Sequence, residues 1–147
     1  MAETVAERPI RPIEIVRHPI YSMLLPVPVV CFLGVLITDL VYLKSDGNLL
    51  WLAFSSWLLF VGLSFGAIAA LVLLIDFVRS PGMRTGSGWA HLLLFYAALL
   101  VELFSIFIHS RDGWTAVAGP GITLSIIGAV LILIAAWLRR PAVEVVR

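Results

Sequence analysis

Six ionisable side chains lie inside or at the edges of long apolar runs: His18, Asp39, Asp76, His91, Glu102 and His109. A charge at the centre of a bilayer costs at least a few kcal/mol, so such residues mark function or a dedicated partner. Two histidines facing each other across a helical bundle can ligate a haem iron from both sides. That singles out His18 and His91, with Arg17, Arg79 and Arg84 placed to meet propionates. The competing reading is two interfacial histidines holding structural hydrogen bonds. Carboxylates and imidazoles within a bundle can also handle protons or quinone, which singles out Glu102, Asp39 and His109.

The helical period sharpens the set. At about 100° per residue, His91 and Glu102, eleven positions apart, differ by only ~20° in azimuth. His109 returns to the azimuth of His91, so one polar stripe runs along an otherwise Leu-, Phe- and Val-rich segment. A one-sided stripe is expected to face a bundle interior. Glu102 has no cation within helical reach. It is protonated, paired across the bundle or next to water, and Tyr96 and Ser125 are the hydrogen-bond partners expected for a neutral carboxyl. Asp39 and Asp76 fall near the C-terminal ends of their segments, where an acid meets the negative end of the helix dipole. Asp39 has Lys44 nearby and can be read as a snorkelling charge. Asp76 has Arg79 three residues on, and a bond to His91 would fix that ring as a haem ligand.

Other chemistries lack their residues. The chain has no lysine-bearing phosphate loop, serine elbow, HExxH or CxxC. Cys31 is the single cysteine, so neither an internal disulfide nor a thiolate cage is available. A net charge of +1 carries no basic face for nucleic acid.

The elements that must position these groups are membrane helices. Of 147 residues, 61% are hydrophobic and 13% charged, with a mean hydropathy of +1.07; a soluble domain is about half apolar and a quarter charged. Four runs are long enough to span a bilayer, which takes about 20 apolar residues: roughly 21–43, 49–78, 89–108 and 117–138. Residues 1–20 read as an extended Pro/Arg-rich segment, with no cleavable signal peptide, and 139–147 as a tail. Turn residues mark the short connections, Ser45-Asp46-Gly47-Asn48 among them. The expected fold is all-α: an up-down four-helix membrane bundle. Eight of the ten basic residues fall before the first run, between the second and third, or after the fourth; only Lys44 and Arg111 fall elsewhere. That bias puts both termini in the cytoplasm of a bacterial inner-membrane protein. Trp89 and Trp137 then mark the inner interface, and Tyr42, Trp51 and Trp114 the outer. Pro26 and Pro28 predict a kink in the inner half of the first helix. Gly62 and Gly66, and Gly121 with Ser125, read as small-residue packing seams, within the chain or between chains.

The order of short motifs resembles a known family. His18-Pro19, Leu25-Pro26, Asp39, Trp57, Gly62, Asp76-Phe77, His91 and Ala136-Trp137-Leu138 follow the pattern of the bacterial membrane family catalogued as domain of unknown function 2231, over His18 to Leu138. That family usually continues with a glycine-rich, Gly-Gly-Glu-like segment, where this chain has Arg139-Arg140-Pro141. The resemblance carries no activity. It implies company: Rieske iron–sulphur or cytochrome c domains joined to such domains, and quinoprotein sugar dehydrogenases encoded nearby.

The function expected from these residues is a small inner-membrane redox subunit. It would bind haem b between His18 and His91 and pass electrons between a periplasmic redox protein and the quinone pool. Asp76 and Arg17 would support the haem, and Glu102, Asp39 and His109 would serve quinone or protons. The alternative is a non-catalytic subunit anchoring a larger membrane complex through the glycine seams. A third reading is a proton or small-solute pathway along His91, Glu102 and His109, within an oligomer.

Overall fold

The computed structural model describes residues 19–111 and 117–139. It contains helices α1 (Pro19–Leu24), α2 (Pro26–Lys44), α3 (Leu49–Arg79), α4 (Gly86–His109) and α5 (Ile122–Leu138), with short helical turns at Pro81–Met83 and Val117–Gly121. These form four apolar spans, Ile20–Lys44, Leu49–Arg79, Gly86–His109 and Val117–Leu138, each long enough to cross a membrane. In lipid every backbone donor and acceptor must be satisfied within the protein, and a helix does this locally.

The first span is irregular where its prolines predict. Neither Pro26 nor Pro28 has an N–H, yet Leu25 N–H donates to Tyr21 at 2.9 Å and Val29 N–H to Leu25 at 3.4 Å. Leu25 stays in the right-handed helical region, with φ −54° and ψ −39°. The helix is interrupted at Leu25 without unwinding, and Pro28 is buried in the bundle.

The spans pack in a ring. α2 lies beside α3 and α5, and α4 lies beside α5 and α3; the diagonal pairs are α2 with α4 and α3 with α5. Short connections make ring neighbours antiparallel. Asp46 (φ 52°) and Gly47 (φ 78°) take left-handed conformations, which reverse the chain within one turn. The Asn48 side chain then caps α3 by accepting from Leu50 N–H. Thr85 caps α4 in the same way, through Gly88 N–H.

The outer surface of the bundle is apolar, and its interior combines a large apolar core with buried polar side chains. Trp57, Phe60, Leu71 and Phe104 are 57–68% exposed on the outer surface, whereas Asp39, Ser55, Glu102, Ser105 and Ser125 are fully buried. Lipid is as apolar as leucine, so hydrophobicity does not select the interior; close packing and hydrogen bonds do. The glycine seams show this. A Cβ on Gly62 would come within 2.7 Å of the Phe32 ring and 2.9 Å of Cys31, and Gly66 faces Leu99 and Pro28. Gly121 and Ser125 are buried too. Both seams are filled within the chain and hold α2, α3, α4 and α5 together. They are not the open faces that an anchoring role between chains would require.

Candidate functional site

Two polar centres occupy opposite ends of the bundle. The first lies at the end bearing the Ser45–Asn48 turn, here the Lys44 end. Thr38 and Asp39 sit in the last turns of α2. The tight turn after Lys44 returns the chain so that Ser55 on α3 comes level with Asp39. After α4, the segment Val117–Gly121 is bent by Ala118 and by Gly119, whose φ of 115° suits only glycine. That bend aims α5 so that Ser125 also faces Asp39.

Each of the other three spans then contributes a hydrogen bond to the Asp39 carboxyl. Ser55 Oγ donates to Oδ1 at 2.5 Å and Ser125 Oγ donates to Oδ2 at 2.6 Å. His109 Nε2 lies 3.0 Å from Oδ1. Thr38 Oγ1 extends the chain, 2.6 Å from Ser55 Oγ. The His109 ring has a defined protonation logic. Its Nδ1 faces the Ser105 carbonyl at 2.9 Å, which can only accept, so Nδ1 carries a proton. Nε2 faces a carboxyl oxygen, so a second proton lies between the two groups. Imidazolium with carboxylate and imidazole with carboxylic acid are two placements of that proton, and both leave the pair neutral. Neutrality with full hydrogen bonding makes such a pair tolerable out of water.

Glu102 lies about two helical turns along α4 from His109, deeper in the bundle and within electrostatic reach of Asp39. It is fully buried, and both its carboxyl oxygens lack a hydrogen-bond partner among the described residues. The space it occupies is made by Gly128 on α5, where a Cβ would overlap the carboxyl. The partners expected from sequence are engaged elsewhere. Tyr96 Oη–H donates to the Ala70 carbonyl at 2.9 Å, and Ser125 serves Asp39.

The second centre surrounds His91 at the other end of the bundle. Nδ1–H donates to the Ala135 carbonyl at 2.7 Å, one of the C-terminal carbonyls that α5 cannot satisfy by itself. Nε2 accepts from Tyr21 Oη–H at 2.8 Å. Tyr21 stands edge-on to His91 and Phe95. The Arg139 guanidinium sits 4.2 Å from the Tyr21 ring centroid and donates to Ser22 Oγ at 2.8 Å. Together these tie α1 to the ends of α4 and α5. The bonds of His91 run to Tyr21 and Ala135 rather than to Asp76, which is half-buried and within electrostatic reach of Arg139.

This geometry bears on the haem expectation. A ligating imidazole needs a free nitrogen facing the iron, and both nitrogens of His91 are engaged. The described residues around His91 thus do not fit an axial haem ligand. His18 and Arg17 lie outside the described residues, as do Trp114, most of the Pro/Arg-rich segment and the chain from Arg140 onward. Among the described residues, no three His, Cys, Asp or Glu side chains converge as a metal-binding group.

The stripe on α4 is found as expected: His91, Glu102 and His109 are all buried. The structure brings Asp39, His109 and Glu102 toward one another and leaves His91 apart. Sequence reasoning does not assign Thr38, Ser55, Ser105 and Tyr21 as partners, nor Gly128 as the space for Glu102. A glycine within an otherwise large-residue run of the fourth span is the available signal.

Fold and site together define a small four-span membrane bundle built around a buried acid–base layer. The chain belongs to the DUF2231 family: the family model, described as a predicted membrane protein, matches residues 17–143. No curated protein and no solved structure matches it.

Proposed function

We propose that the protein is a proton-binding membrane subunit. Its exchangeable group is Glu102, and the Asp39–His109 pair is its proton-sharing neighbour. The observation that carries this reading is the Glu102 carboxyl itself, fully buried with neither oxygen hydrogen-bonded among the described residues. A neutral carboxyl left unpaired in that position is already costly, and an ionised one more so. A group kept at such a cost is explained by use. Asp39 and His109 supply the second half of a relay, because their shared proton can move without creating net charge. The redox company implied by the family resemblance suits this role, since quinone chemistry in a membrane takes up and releases protons. In that setting the bacterial inner membrane is the expected location, with the Lys44 end outward.

The test is infrared spectroscopy of the purified protein in mild detergent during a pH titration. A protonated-carboxyl band that titrates reversibly and vanishes in Glu102→Gln is expected. Absence of any band lost in that variant would overturn the reading. An absorption spectrum of the same sample, oxidised and then reduced, checks for haem independently.

A further inference from the structure

The layers above and below the acid–base centre differ sharply, and the difference bears on which side of the membrane it serves. From Glu102 toward the Arg79 end, the bundle axis is filled by Phe32, Phe95, Leu73 and Ile132, each at most 1% exposed, with Ala69, Ala98 and Ala135 between them. On α4 in that direction stand Tyr96, whose hydroxyl is committed to the Ala70 carbonyl at 2.9 Å, and then His91, eleven residues from Glu102 or ~16 Å of helix rise, with both its nitrogens already bonded. Toward the Lys44 end, among the described residues, the cover is a small cluster of Tyr42, Leu52 and Val117 with half-buried Trp51. Beyond it lie the exposed connections carrying Lys44, Asp46 and Arg111. The cover includes Val117, which belongs to the bent segment around Gly119 rather than to a regular helix.

Proton transfer runs through steps of hydrogen-bond length or through one bridging water. Toward the Lys44 face the Asp39–His109 pair supplies one such step, 3.0 Å long, and Asp39 lies within electrostatic reach of Glu102, which leaves one bridging water to join Glu102 to the pair. In the other direction, among the described residues, the nearest hydroxyl on α4, Tyr96, is spent on the Ala70 carbonyl. The ionisable groups facing Glu102 are few. Among the described residues, Asp39 comes from α2 and His109 from its own helix, while α3 and α5 present the hydroxyls of Ser55 and Ser125 to this layer.

We infer that the protein is a proton half-channel: Glu102 exchanges its proton with the Lys44 face alone, through the Asp39–His109 pair and under a cap formed by Tyr42, Leu52 and Val117. This rests on the proton-binding reading and adds the direction of access. One proton moves per exchange. The Glu102 O–H bond breaks as its proton passes to the pair, and the pair gives one proton to water at the Lys44 face; the reverse sequence reloads Glu102. A single chain of this kind loads and unloads from one side and does not conduct.

The experiment uses the full chain in sealed liposomes. Lys44 is the single lysine of the sequence and is exposed, so a membrane-impermeant amine reagent, read by peptide mass, reports which face is outward. The infrared band lost in Glu102→Gln is then followed while the pH is changed on one side at a time, with a trapped pH dye recording net flux. The band is expected to respond to the Lys44 side only, with flux indistinguishable from that of protein-free liposomes, and Val117→Ser is expected to speed the response. A band that follows the opposite side, or a steady flux abolished by Glu102→Gln, would overturn the half-channel while leaving proton binding intact. A band that responds to neither side in liposomes, nor in detergent, would overturn both.

Discussion

Replacing Glu102 by methionine should make the protein more stable. The two side chains are similar in length and volume, so the thioether would fill the space beside Gly128 without a cavity. What disappears is a buried carboxyl whose two oxygens find no partner among the described residues. Leaving a buried polar group unsatisfied costs about 1–3 kcal/mol in mutational series. Removing it should therefore shift the unfolding equilibrium roughly five- to 150-fold toward the folded state. The assay is reversible unfolding in mixed micelles, followed by the fluorescence of the five tryptophans. Glu102→Gln separates the two properties of the residue. It keeps the unpartnered polar group but cannot give up a proton, so its stability should match wild type while the titrating infrared band is lost. If Glu102→Met is instead less stable than wild type by about 1 kcal/mol or more, the carboxyl is paired in the native protein and its isolation cannot be the reason it is kept.

Asp39→Ala should have the opposite sign. It strands His109, Ser55 and Ser125 in the interior, and breaking a buried pair costs about 3–5 kcal/mol, measurable in the same unfolding assay. His91→Ala should leave the Tyr21 hydroxyl and the Ala135 carbonyl unpaired, at about 1–3 kcal/mol for each; faster proteolysis near α1, and an unchanged visible spectrum, are the readouts. Gly62→Ala should cost about 1–3 kcal/mol by overpacking against Phe32 and Cys31. Gly128→Ala should displace the Glu102 carboxyl, and a double-mutant cycle with Glu102→Ala should show that most of its cost depends on that side chain.

The fold is legible in the sequence because a membrane simplifies it. Four apolar runs separated by turn residues admit few arrangements, and the prolines at 26 and 28 mark the interruption of the first span at Leu25. The buried stripe on α4 is legible for the same reason, since the spacing of His91, Glu102 and His109 repeats the helical period. What cannot be read is pairing across the ring. Asp39 and His109 lie 70 positions apart on diagonal helices, and nothing local connects them. The pairing of His18 with His91 rests on depth alone, and depth does not reveal that Tyr21 and the end of α5 engage both nitrogens of His91. Likewise Ser125 suits Glu102 by type, but the bent segment Val117–Gly121 fixes the rotation of α5 so that its hydroxyl meets Asp39.

The contrast between the two polar centres gives a physical criterion for function in a bundle of this kind. Each contains a buried histidine, and burial alone does not distinguish them. At His91 every donor has an acceptor, the partners include a backbone carbonyl that needs capping, and a cation–aromatic stack closes the assembly. Such a centre gains nothing by changing its protonation, and its chemistry is that of a clasp holding α1 to α4 and α5. At the Lys44 end the Asp39–His109 pair holds a proton that can sit on either partner, and deeper along α4 a carboxyl remains with no bond among the described residues. The first arrangement is fully committed by its hydrogen bonds, whereas the second retains a choice of proton position and a group that is better off when something small and positively charged arrives. Selection for stability alone would replace Glu102 by methionine or leucine. Its presence therefore weighs on the side of proton handling, and the stability of Glu102→Met measures how much the fold gives up to keep it.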